Sequence, residues 1–325
     1  MLSYRHAFHA GNHADILKHE TLVLILEQLR QKDKPFTIID THAGAGRYSF
    51  DDPFSLKTGE SRAGIKRLLT FAAESGTDSS RVPVELKTYL AITASYANRN
   101  TYPGSPEIER CLMRHGDTCI LCELHPAEAA CLKRNMKLPL LYRTTTENSS
   151  GGNSGQVHIH YRDGYEALEA LTPPATARGI VLTDPSYEDS SDYEKAAEVF
   201  ARVHRKWSNG ILVLWYPLLN YRSAEIASLK RTILTAAGQG KKQPPVLNFE
   251  LLVHTKESHQ ETTLRGSIGS AIPRLYGSGM IVVNPPWKLT EKIGNVLPFL
   301  ADTLSSTGSY TITDYPAAGT PHLPE

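Results

Sequence analysis

The run Gly179-Ile180-Val181-Leu182-Thr183, closed by Asp184-Pro185, constrains the fold more than any other stretch. It is short, β-branched and without alternation, so it reads as a strand that needs burial on both faces. A parallel sheet covered by helices on both sides provides that environment. Further segments read as strands: 36–39, 118–122, 157–161, 211–216, 247–253 and 277–284. Helical patterns fall before and between them, at 13–30, 107–114, 126–137 and 222–237. The expectation is a single α/β unit over 1–325 with a seven-stranded, mostly parallel sheet, its seventh strand at an antiparallel edge.

Ligands of such sheets bind outside the carboxyl ends of the strands, so the residues that follow each strand carry the functional information. The first strand closes on Asp40-Thr41-His42-Ala43-Gly44-Ala45-Gly46, an acidic strand end and a Gly-x-Gly loop that lets backbone approach a cofactor. The third glycine of a dinucleotide fingerprint is missing, which argues against NAD or FAD. A ribose-holding carboxylate is expected about 20 residues on, but the next candidate is Glu123, 83 positions after Asp40. An insertion therefore occupies 49–102, with helical composition over 64–71 and 83–98. It can grip substrate or be a structural embellishment, and its composition leaves both open. Asp163-Gly164 ends the following strand, where an acidic group suits an adenine amine. Ser105, in the turn Tyr102-Pro103-Gly104-Ser105-Pro106, can cap the next helix or touch cofactor; capping is the simpler expectation.

Asp184-Pro185-Ser186-Tyr187 is similar to the catalytic tetrapeptide of amino-group methyltransferases that use S-adenosylmethionine (SAM). The exocyclic nitrogen of adenine is a poor nucleophile because its lone pair is delocalised into the ring. Asp184 and the Pro185 carbonyl, accepting its two hydrogens, would favour a tetrahedral nitrogen. Proline fixes φ and has no N–H to compete. Tyr187 offers a face for a splayed-out base, typically worth about 1–3 kcal/mol. The plain alternative is a strand-to-turn corner, since Asp and Pro are common turn residues. A second tetrapeptide, Asn284-Pro285-Pro286-Trp287, is the internal rival. Order along the chain favours Asp184, because 40–46, 123, 163 and 184 fall one per successive strand.

Composition excludes little. A formal net charge of +1, with 40% hydrophobic and 21% charged residues, is that of an ordinary globular chain. Any nucleic-acid contact must come from a local patch. The polar start and the lack of an 18-residue apolar run lead to an expected cytoplasmic location with no membrane partner. Cys119-Ile-Leu-Cys122, near Cys111 and Cys131, has metal-ligand spacing, but strand residues three apart point to opposite faces. No metal is expected. The stretch 144–156 is low in complexity and reads as a surface loop.

Taken together, the chain resembles the RlmJ family of bacterial 23S ribosomal RNA adenine-N6 methyltransferases. The resemblance runs from Met1-Leu2-Ser3-Tyr4-Arg5-His6 and Phe8-His9-Ala10-Gly11-Asn12-His13-Ala14-Asp15 through the glycine loop. It continues over Tyr102–Pro106, Glu123-Leu124-His125-Pro126, Asp163-Gly164, Asp184–Tyr187 and Leu214-Trp215-Tyr216-Pro217 to Gly279–Lys288. It implies a Rossmann-like class I SAM-dependent methyltransferase with a small inserted helical subdomain, acting as a monomer on protein-free 23S rRNA. By position it implies that His19, His42, Gly44, Ser105, Glu123, Asp163, Gly164 and Asp184 hold SAM. Asp184, Pro185 and Tyr187 would be catalytic, and Tyr4, His6 and Lys18, in the segment 1–20, would face the target adenosine. Two departures stand out. Ser186 replaces a proline of the family, which predicts a slightly looser loop, and extra residues lie at 144–156 and 254–275. DNA adenine or a glutamine amide is the alternative substrate, and a non-catalytic RNA-binding module the alternative class.

Overall fold

The computed structural model describes residues 6–76, 81–143, 155–238, 243–255 and 275–316. Most of both inserts, 144–154 and 256–274, and the first five residues with Tyr4 lie outside the described residues.

The sheet has eight strands, not seven. They are β1 (Thr37–Asp40), β4 (Thr118–Glu123), β5 (Gln156–Tyr161), β6 (Gly179–Thr183), β7 (Ile211–Leu219), β8 (Val246–Leu252), β9 (Leu275–Val283) and β10 (Ser309–Tyr315). Their spatial order is β10-β8-β9-β7-β6-β1-β4-β5. Strands β5, β4, β1, β6 and β7 run parallel, while β9 pairs antiparallel with both β7 and β8. The expected edge strand is thus interior, and the edge is β10, paired antiparallel with β8. β10 escapes a sequence reading because its side chains are nearly all exposed, so no hydrophobic pattern marks it. Gly277 and Gly279 help admit β9: a Cβ on Gly279 would lie 2.2 Å from the Tyr216 ring.

Helix α1 (His13–Arg30) is capped by Asn12, whose side chain accepts the Asp15 N–H. It is buried on nearly every side, packing against α5 (Ser105–Leu112), β9 and a C-terminal helix over Leu289–Leu304. Amid its leucines and isoleucines, Asp15, Lys18, His19 and Glu20 are buried too. Charged residues inside a core helix are costly unless paired, so such a cluster points to a site.

The 49–102 region begins and ends side by side. The short strands β2 (Arg47–Ser49) and β3 (Thr101–Pro103) form an antiparallel ribbon, and the Gly104 N–H donates to Gly46 O at 2.8 Å. Helices α2 (Pro53–Thr58), α3 (Arg67–Glu74) and α4 (Lys87–Ala97) lie between them. This region grips the N-terminal segment. Ser55 and Thr58 hydroxyls donate to Ala7 O and Phe8 O at 2.8 and 2.5 Å. The Ile65 N–H reaches Gly11 O at 2.8 Å, and Glu60 takes both His9 and the Asn12 amide.

Candidate active site

The order of strands reverses at β1, with β4 on one side and β6 on the other. A crevice at the carboxyl ends of the strands is expected at such a switch point. A cavity of about 260 Å³ lies there. Its floor is made by the segments after β1, β4, β5 and β6, and one wall by His6, Lys18 and His19 of the N-terminal segment and α1.

On the β1 side, Asp40 is fully buried. It accepts Ser105 Oγ at 2.7 Å and the His42 N–H at 3.1 Å. Burial, partly offset by these bonds, pushes its carboxyl up to about 6. Ser105 therefore does not cap α5, whose N-cap is Gly104; it ties α5 to the end of β1. Gly44 adopts φ +59°, and a Cβ there would lie 2.3 Å from the Tyr48 hydroxyl. That hydroxyl in turn accepts the Ala45 N–H at 3.1 Å. Burial lowers His42 to about 4, so it is neutral, and its ring meets Tyr165 edge-on.

Glu123, closing β4, receives the Gly44 N–H at 2.8 Å and the His125 N–H at 2.7 Å. Burial raises its carboxyl despite these bonds. A carboxylate has four lone-pair sites, so capacity is left to accept hydroxyl donors. Asp163 caps α7 (Gly164–Leu171) by accepting the Tyr165 and Glu166 N–H groups at 2.8 and 3.1 Å, and meets Lys195 at 3.2 Å. Burial acts upward on Asp163, but the helix N–H groups and Lys195 outweigh it and keep its carboxyl low. Gly164 packs so tightly that a Cβ would lie 1.9 Å from Thr41 O.

These features fit SAM. Its ribose diol, adenine amine and ammonium are all donors, and the cavity offers half-buried carboxylates with spare acceptor capacity. Two glycines keep the backbone open beside them. His19 adds a buried ring lining the cavity. Its Nδ1 pairs with Tyr102 Oη at 2.7 Å, while Nε2 has no hydrogen-bond partner among the described residues. Burial lowers it to about 3.

At β6, Asp184 and Pro185 face the cavity, but Tyr187 does not line it. Its ring is buried against Tyr193 and Trp215 (centroids 4.4 and 5.9 Å), and its hydroxyl donates to Trp215 O at 2.8 Å. Tyr187 has φ +50°, a left-handed conformation that turns the ring inward. The expected base-stacking face is thus occupied by the core, and Tyr187 anchors the loop that Ser186 was expected to loosen. The rival Asn284 lies at the other end of the sheet, because β9 runs against β7 and Val283 pairs with Leu212 near the start of that strand. Its amide donates to Ser208 O and Gly210 O, which makes it a corner.

Lys18 forms a short ion pair with Asp184 Oδ2 and lies 2.9 Å from Asp15 Oδ1. Burial acts to lower its ammonium, but the two carboxylates outweigh that and hold it above the ordinary lysine value. The sequence reading missed Asp15, and nothing in its local pattern distinguishes it. His6 reaches Asp15 Oδ2 at 3.0 Å. Cys119 donates to Glu109 Oε2 at 3.1 Å, and burial pushes Cys111 and Cys122 up to about 12. Among the described residues no three His, Cys, Asp or Glu side chains are grouped to hold a metal, and no helix is long and apolar enough to cross a membrane.

A mostly parallel, helix-covered sheet with glycine loop and carboxylates at successive strand ends defines a methyltransferase-type Rossmann-like domain. Residues 33–314 match the family described as ribosomal RNA large subunit methyltransferase D, RlmJ. Two relatives named ribosomal RNA large subunit methyltransferase J match along nearly their whole length. That of Escherichia coli K12 is 37% identical over 319 residues, 96% of this chain and 98% of the relative. That of Haemophilus influenzae is 33% identical over 318 residues, again 96% and 98%. A crystal structure from Legionella pneumophila superposes with a TM-score of 0.72 at 28% identity, covering 94% of this chain and 98% of that one. The chain belongs to the RlmJ family.

Proposed function

We propose that this chain transfers a methyl group from SAM to the N6 amine of an adenosine in large-subunit ribosomal RNA. The observation that carries the reading is Asp184-Pro185 facing the cavity at the end of β6, beside strand ends bearing Glu123 and Asp163. Family membership and the names of the two relatives support the RNA substrate.

Bound SAM would supply an electrophilic methyl group on sulfur. Glu123, Asp163, Gly44, His19 and His42 are the groups of this chain that would hold it. Asp184 and the Pro185 carbonyl would accept the two amine hydrogens, drawing the nitrogen lone pair out of conjugation. Fixing the amine in line with the methyl makes the displacement effectively unimolecular, which can lower the barrier by several kcal/mol. Tyr187 contributes by rigidity: its hydroxyl bond to Trp215 O and its buried ring hold Pro185 in place. The face that receives the splayed base belongs to the N-terminal segment, where His6 lines the cavity.

The test is methyl transfer from labelled SAM to unmodified, protein-free large-subunit rRNA, followed by nucleoside mass spectrometry. The expected product is N6-methyladenosine at one site, absent with Asp184→Ala. Incorporation into DNA or a protein amide, but not RNA, would replace the substrate assignment; turnover by Asp184→Ala would remove the catalytic one.

A further inference from the structure

Asp15 is 1% exposed, yet it carries an unusual load of donors. Its Oδ2 accepts the Gly11 N–H at 2.8 Å and meets His6 Nε2 at 3.0 Å. Its Oδ1 lies 2.9 Å from Lys18 Nζ. Lys18, itself 4% exposed, ends in the short ion pair with Asp184. One buried carboxylate thus connects the N-terminal segment, through one ammonium, to the residue assigned to the target amine. An acidic residue in the first turn of a helix ordinarily sits at the surface and answers the helix dipole. Asp15 is instead enclosed, and breaking a buried pair by removing one partner leaves an uncompensated charge.

Lys18 and the incoming amine share one carboxylate: Lys18 holds Asp184 Oδ2, and the amine needs an acceptor site on the same group turned toward it. If Lys18 faced Asp184 alone, its ammonium would have that oxygen as its sole buried counter-charge, and turning the carboxylate toward the amine would leave the ammonium uncompensated. With Asp15 as second partner, the ammonium stays compensated when the amine takes its place on Asp184. We infer that Asp15 is a positioning residue for methyl transfer, acting through Lys18 to keep the Asp184 carboxylate oriented and available. The inference rests on the assignment of Asp184 as the amine acceptor.

The experiment is a double-mutant cycle on full-length protein with Asp15→Asn, Lys18→Met and the pair. It reads kcat, KM for rRNA, SAM affinity by calorimetry and thermal unfolding. Asp15→Asn should lower kcat by about tenfold or more, with SAM affinity kept within about threefold. Because Asp15 acts through Lys18, the double variant should be no worse than Lys18→Met by more than about twofold. Wild-type kcat in Asp15→Asn, or losses that multiply, would overturn the proposal. So would a loss confined to melting temperature and SAM affinity. Asp15→Ser repeats the test if the Asn variant does not fold. Should neither yield folded, SAM-binding protein, Asp15 is structural and the proposal falls. An inactive Asp184→Ala beside a fully active Asp15→Asn overturns the Asp15 proposal alone. An active Asp184→Ala overturns the reaction assignment, and Asp15 with it.

Discussion

Gly164→Ala is the substitution for which the structure fixes the outcome most tightly. The added Cβ would lie 1.9 Å from Thr41 O, 2.7 Å from its carbonyl carbon and 2.9 Å from its Cβ. Ordinary contact begins near 3.4 Å, so the approach is short by 3.4 less 1.9, about 1.5 Å. Thr41 cannot yield easily, because its N–H and hydroxyl both bond Leu182 O of β6, at 3.0 and 3.2 Å. The start of α7 must withdraw instead, carrying Asp163 with it. Overpacking of this kind costs about 1–3 kcal/mol of stability. If Asp163 holds a cofactor donor as proposed, displacing its carboxylate would cost a charged hydrogen bond, about 1.5–3 kcal/mol, or roughly tenfold to a hundredfold in SAM affinity. Calorimetric titration with SAM, alongside thermal unfolding, reads both. Gly294→Ala on the C-terminal helix Leu289–Leu304 is the control, since its Cβ would meet nothing among the described residues within 4 Å. That change should keep SAM affinity and gain up to about 1 kcal/mol from helix propensity. Folded Gly164→Ala that binds SAM within about twofold of wild type would refute the placement of Asp163-Gly164 against the cofactor.

Asn284→Ala should lose about 1–3 kcal/mol in denaturant unfolding, from two hydrogen bonds and a φ of +56° that alanine resists, with kcat unchanged; a collapse of kcat at intact stability would reinstate the second tetrapeptide. Gly64→Ala drives a Cβ to 2.1 Å from Gly11 O and should loosen the N-terminal segment from the insertion. RNA methylation (kcat/KM) should then fall by about tenfold or more while SAM affinity holds, and equal losses in both would contradict it. Glu20→Gln should flatten the pH dependence of stability. Both Glu20 oxygens are buried without hydrogen-bond partners among the described residues, and burial holds its carboxyl protonated well above 4.5, where the unfolded chain ionises. Glu20 thus makes the wild type lose about 1.4 kcal/mol per unit as pH rises past 4.5, until the folded group titrates. The variant lacks that loss, and parallel melting curves from pH 5 to 8 would refute it.

What the sequence made legible was the part of the fold governed by short-range rules. Strands β1, β4 and β6 announce themselves because burial leaves apolar runs, while β5, an edge strand, shows only the alternation Val157-His158-Ile159-His160. The acidic residue that follows or closes each of the four sits where a crevice must form. The parts it concealed depend on partners far along the chain. The β2–β3 ribbon has three residues a side, too few for any period, and its strands pair across the whole insertion. β9 enters the sheet between β7 and β8 through pairings of distant strands, and β10 is too exposed to carry a pattern. Tyr187 reads as a stacking face until its positive φ turns it inward. Asp15 looks like an ordinary first-turn acid, and its meaning appears only when Asp184, far along the chain, arrives beside Lys18.

The insertion was open to two readings, substrate grip or embellishment, and its contacts favour a mechanical role. Gly11 and Gly64 approach so closely that neither tolerates a side chain, and Glu60, Ser55, Thr58 and Ile65 fasten residues 7–12 by hydrogen bonds. That fastening fixes the Gly11 N–H, which donates to Asp15, and brings His6 to the same carboxylate. Asp15 holds Lys18, and Lys18 meets Asp184. No described residue of the insertion lines the cavity, yet through bonds that are each individually modest it holds the segment that reaches, by way of Asp15 and Lys18, the residue proposed to meet the target amine. Variants across the 53–65 face should accordingly damage turnover in proportion to how far they release residues 7–12, whatever their own distance from the cavity.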